Sequence, residues 1–148
     1  MHDNRRRRRE AANRGWDMGQ FFGVEVPFLD LVGVRGEHFG SGETRVALQT
    51  RPEIGNHFGD VHGGALATML DVAMASAARS LHPESGVVTV NMSLNFLRGG
   101  QGRLQATGRV RQSGRSLVFC EAEVRDESGT VVATGMGTFK VRRRSGDG

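Results

Sequence analysis

Asp71 lies in a stretch, Ala65–Ala78, where only it, Thr68 and Ser76 are polar. Apolar residues there leave no face free, and a helix that is apolar all round is a buried one. A carboxylate inside such a helix is costly unless it is paired, hydrogen-bonded, protonated or facing a ligand. Thr68 is three residues away and shares its face. Just upstream, Asn56, Gly59, His62, Gly63 and Gly64 make a polar, glycine-dense approach to the helix start. The first backbone N–H groups of a helix lack intrahelical partners and sit at the positive end of its dipole. Glycine lets another molecule come close to them. A carboxylate and free amides on one element are the parts needed for general-base or nucleophilic attack on a carbonyl and for holding the resulting oxyanion.

The elements that must position these groups follow from periodicity. Leu31–Phe39 and Glu43–Arg51 read as a β-hairpin turning at Gly40-Ser41-Gly42. Pro83 and Gly86 end the helix pattern. Val87–Leu97 then alternates, with Val88, Val90, Met92, Leu94 and Phe96 on one face and Thr89, Asn91, Ser93 and Asn95 on the other. Three more alternating stretches, Arg103–Arg111, Ser116–Arg125 and Thr130–Val141, are joined by glycine-bearing turns. Trp16–Leu31 reads as a short helix or turn and then an irregular segment broken at Pro27, its aromatics Trp16, Phe21, Phe22 and Phe28 packing on the core or lining a pocket. The expected class is α+β, an antiparallel sheet of about six strands wrapped around one long buried helix. Residues 16–142 form the single domain, with a disordered basic tail at 1–15 and a polar tail at 143–148.

Bulk properties exclude several classes. The net charge is +4, but Arg5–Arg9 supply five positive charges, so the rest is near neutral and offers no basic face for nucleic acid. The single cysteine, Cys120, cannot form an internal disulfide and sits in an apolar alternation, which suits a cytoplasmic protein and a packing role. No stretch reads as a signal peptide or a membrane span. There is no Gly-x-Ser-x-Gly elbow, no phosphate-binding loop and no Cys-x-x-Cys pair, and His57, Asp60 and His62 lack a fourth metal ligand.

The order of elements, together with Asn56, Gly59, His62-Gly63-Gly64 and Asp71, resembles the hotdog-fold acyl-CoA thioesterases of the phenylacetate (PaaI-like) branch, from about Phe28 to Val141. That resemblance implies hydrolysis of acyl-CoA thioesters without a cofactor or metal, coenzyme A being part of the substrate. It implies that the Gly63 N–H polarises the thioester carbonyl, with Asn56 beside it, and that Asp71 acts as base or nucleophile, with Thr89 holding the water. His62 is an orienting residue or the base, and Gly64 helps admit the substrate. Gly63 and Asp71 are eight residues apart, about 12 Å along a helix, so both can act on one carbonyl only if they come from two subunits. A homodimer with shared sites is therefore expected, and the resemblance extends this to a dimer of dimers. Arg98, Arg115 and Lys140, at strand ends or turns, are expected to form a basic lip for the phosphates of coenzyme A. Two other readings are a hotdog dehydratase or hydratase with His57 as base, and a non-catalytic acyl-CoA sensor.

Overall fold

The computed structural model describes residues 21–143. Trp16, the Arg5–Arg9 run and the expected tails, apart from Arg143, lie outside them. Chain order is α1 (Pro27–Val32), β1 (Arg35–Gly40), β2 (Glu43–Gln49), a 3-10 turn (Pro52–Ile54), α2 (Gly63–Ser80), β3 (Gly86–Phe96), β4 (Arg103–Ser113), β5 (Leu117–Arg125) and β6 (Val131–Arg142). The strands form one antiparallel sheet in the order β1-β2-β4-β5-β6-β3, and α2 packs against all of them.

Pro27 does not break structure; it opens α1. A proline at the first helical position loses no hydrogen bond, and its fixed φ is already helical. Leu31 and Val32 thereby leave the expected hairpin, whose first strand begins at Arg35. Gly33, at φ +95°, closes the helix, and the Arg51 guanidinium donates to the carbonyls of Leu31 and Val32. Phe21 is core, Phe22 packs against the core, and Phe28 is exposed.

The core stripe of α2 is Ala65, Leu66, Met69, Leu70, Ala73, Met74 and Ala77, the repeat that one helical face requires. Thr44, fully buried on β2, donates to the Ala73 carbonyl at 2.6 Å. On β4 a Cβ at Gly108 would collide with that same carbonyl, so glycine here is what lets helix and sheet close. Within one chain, however, α2 is not buried all round. Thr68, Asp71, Val72, Ala75 and Arg79 stay half-buried along a face that the sheet reaches only at the edge strand β3. The even spread of apolar residues conceals this face, because small alanines satisfy either environment.

A second correction concerns β3. Thr89 pairs with Phe139 but Asn91 with Thr138, so Val90 is an extra residue in the ladder. Such a bulge reverses which face the side chains take. Val87 and Thr89 therefore share the helix-facing side with Met92, Leu94 and Phe96, while Val88 points away. Cys120 is 3% exposed, and burial pushes its thiol up to about 12. No helix among the described residues is long and apolar enough to cross a membrane.

Candidate functional site

The loop before α2 is built on Asn56. Its side-chain oxygen accepts from the amides of Phe58 (2.9 Å) and Asp60 (3.1 Å), and its own amide donates to the Asp60 carbonyl at 2.7 Å. Gly59 closes the turn at φ +84°, a conformation other residues rarely adopt. Asn56 is thus a turn organiser, and among the described residues its carboxamide nitrogen has no partner.

This loop delivers His62 as the N-cap of α2, where its Nδ1 accepts from the Gly64 amide at 2.8 Å. The cap assigns the ring proton to Nε2 when the imidazole is neutral. The amides of Ala65 and Leu66 donate to the His62 carbonyl at 2.9 and 3.2 Å. Of the amides of the first turn, only that of Gly63 then has no partner among the described residues. Gly63 has no positive φ, and a Cβ there would meet only the Phe96 ring at 3.8 Å, an ordinary contact. Nothing among the described residues demands a glycine at this position.

Two turns along the helix, the Thr89 hydroxyl donates to Asp71 Oδ1 at 2.6 Å, within one chain. The Val90 bulge makes this possible, since without it Thr89 would face away from α2. A groove of about 570 Å³ runs beside Asp71 between the half-buried face of α2 and the segment carrying Phe21, Val26 and Phe28. A smaller groove of about 320 Å³ flanks His62, Gly64 and Ala65, and Phe28 and Thr68 line both. Together they follow α2 from its N-terminus to Arg79. The walls are largely apolar and the polar groups few, as befits a small-molecule site.

The expected basic lip does not assemble in one chain. Lys140 pairs with Val88 and Leu117, near Arg115, whereas Arg98 follows β3 at the other end of β6, its amide on the Val132 carbonyl. Lys140 also alternates with buried Phe139, which turns it to the face away from α2. Strand ends that look equivalent in sequence lie at opposite ends of an antiparallel sheet. His57 stacks on exposed Phe58, ring centres 3.9 Å apart, and lines neither groove. Sequence reasoning missed Ser76 and Arg79 as groove residues. The signal was available, because Asp71, Ala75 and Arg79 repeat every four residues along one helix face.

The chain as a whole is similar to known proteins. Residues 58–133 match the profile of the thioesterase superfamily. A Halobacterium salinarum protein bearing an esterase name is 34% identical over 127 residues, covering 78% of this chain and 84% of that one. The chain belongs to the thioesterase superfamily and has its hotdog fold. At lower identity, 24%, the structure of the Escherichia coli PaaI protein from the phenylacetic acid degradation operon superposes with a TM-score of 0.74, over 82% of this chain and 86% of that one. The 1,4-dihydroxy-2-naphthoyl-CoA hydrolase of Listeria monocytogenes is also 24% identical, over 78% of this chain and 95% of that one. The class is therefore that of enzymes that hydrolyse esters or thioesters.

Proposed function

We propose that this chain hydrolyses acyl-CoA thioesters, at sites completed between two copies. The observation that carries the reading is that the cap leaves one helix-terminal amide, that of Gly63, open for an oxyanion, while Asp71 stands hydrogen-bonded at the mouth of an apolar groove. The thioester carbonyl oxygen accepts from Gly63 N–H. Asp71 takes the proton of a water that attacks the carbonyl carbon, with Thr89 orienting the carboxylate; alternatively, Asp71 attacks directly and water cleaves the anhydride. Collapse of the tetrahedral species breaks the C–S bond, and coenzyme A leaves as the thiolate. The Listeria relative, named for an acyl-CoA substrate, supports the coenzyme A ester over other esters.

The edge strand β3 supports a homodimer. Its eleven residues carry unpaired backbone groups on one side, and Val90, Phe96 and the adjoining Leu97 are exposed. Phe96 lies by Gly63, and Thr89 holds Asp71. A two-fold axis near Met92 and Ser93 would bring Thr89 of one chain beside the partner's Phe96. The roughly 12 Å between Gly63 and Asp71 along one helix is then bridged across chains.

Thiol release from a panel of aryl- and fatty-acyl-CoA esters tests the activity. Asp71→Asn is expected to lower kcat by a factor on the order of 10² or more with folding unchanged. Equal rates in both proteins would remove Asp71 from the chemistry.

A further inference from the structure

The groove beside Asp71 is apolar for most of its length but not at its far end. Val24, Val26 and Val87 line it there together with Ser76 and Arg79. Ser76 is only 4% exposed, and its hydroxyl bonds to no described residue. No fully buried side-chain oxygen among the described residues lacks a partner, so the exposed part of Ser76 includes its hydroxyl, opening into the groove.

Arg79 is three residues on, on the same helix face. One of its five N–H donors goes to the Phe22 carbonyl at 3.0 Å, and the guanidinium carbon lies 4.8 Å from the centre of the Phe39 ring. No carboxylate among the described residues lies within ion-pair distance of it. Burial pushes the guanidinium below its usual value, although an arginine stays charged. A half-desolvated cation with spare donors gains most from an anionic oxygen and gains nothing from a methyl terminus.

We propose that this groove selects acyl groups bearing an oxygen acceptor, a carboxylate best of all, at the end remote from the thioester, held by Arg79 and Ser76. The assignment rests on the hydrolase reading above and names the substrate class of that site. Arg79 lies about 12 Å beyond Asp71 along the helix axis, and helical side chains lean back toward the N-terminus. The span from reacting carbonyl to acceptor is then roughly 6–12 Å, the reach of a six- to eight-carbon diacid or one substituted ring.

The test compares substrates of equal carbon number on one preparation, so that any loss of folded protein cancels in the ratio. Adipyl-CoA is set against hexanoyl-CoA, suberyl-CoA against octanoyl-CoA, and 4-hydroxyphenylacetyl-CoA against phenylacetyl-CoA. In the wild type, kcat/KM is expected to favour the oxygen-bearing member of at least one pair by on the order of 10-fold to 100-fold. The favoured pair tells carboxylate from hydroxyl. Arg79→Met should bring that ratio to about one, and Ser76→Ala should lower it several-fold. Ratios near one in the wild type, with all six esters hydrolysed, would overturn the selectivity and leave the hydrolase standing. A high ratio untouched by both substitutions would also overturn it, as the discrimination would lie elsewhere. Kd for the same pairs on the Asp71→Asn protein decides the case even if no ester is turned over. A preference in Kd that Arg79→Met abolishes would uphold the pocket while the hydrolase reading fell, and equal Kd values would overturn the pocket as well.

Discussion

His62 uses its imidazole on the Gly64 amide, and the neighbouring Gly63 amide is left without a partner among the described residues. The Gly63 donor can be removed with little disturbance. Position 63 is the first residue of α2, where proline is well tolerated, and His62 already has the extended conformation (φ −63°, ψ 140°) that a residue before proline adopts. Gly63→Pro is therefore expected to keep its melting temperature within a few degrees while losing on the order of 10²–10³ in kcat. Gly63→Ala, which keeps the N–H, separates the loss of the donor from the obstruction by a side chain. Cys120 calls for a different measurement. Its thiol has a folded value of about 12 against an ordinary 9.0, so between these values the unfolded chain binds fewer protons than the folded one. Its contribution to stability is full below pH 9 and is lost as pH rises toward 12. Denaturant titrations across that range should show a decline that Cys120→Ala lessens, and native protein should react with a thiol reagent near pH 8 only as fast as it opens.

At the scale of elements, the seat of α2 on β4 depends on the absence of a side chain at Gly108. A methyl group there must push the Ala73 carbonyl, which Thr44 already holds, so the helix cannot shift freely. Gly108→Ala is expected to destabilise by about 1–3 kcal/mol, read from the denaturant midpoint. The Val90 bulge matters as much to the site, because it converts an ordinary strand into one that aims Thr89 at Asp71. Arg51, capping α1, fixes the short helix whose Phe28 spans both grooves.

At the scale of the whole molecule, shared sites make a sharp prediction. In the proposed homodimer, Gly63→Pro and Asp71→Asn are each expected to abolish activity. A mixed dimer, however, has one site with both intact groups, the glycine from one chain and the aspartate from the other. Refolding the two variants together in equal amounts should restore about a quarter of wild-type activity, since half of the dimers are mixed and each has one working site. No recovery, with mixed dimers shown to form, would place both groups in a single chain's site.

Much of this was legible in the residues alone. Alternation located the strands of the sheet, and the alternating Val118, Cys120, Ala122 and Val124 are buried as their spacing requires. The lone carboxylate in an apolar helix, and the Asn-Gly-His-Gly-Gly approach to it, pointed to the candidate site. These signals are local, set by a chain's own period of two or 3.6 residues. The tertiary structure decided what depends on partners distant in sequence. It set the register slip at Val90 that turned Thr89 inward, and the strand order that separated Arg98 from Arg115 and Lys140. It also left one face of α2 reached only by the edge strand β3, with Ser76 and Arg79 along it. A bulge, a strand order and a missing neighbour arise only when the sheet closes on the helix, so no window of sequence contains them.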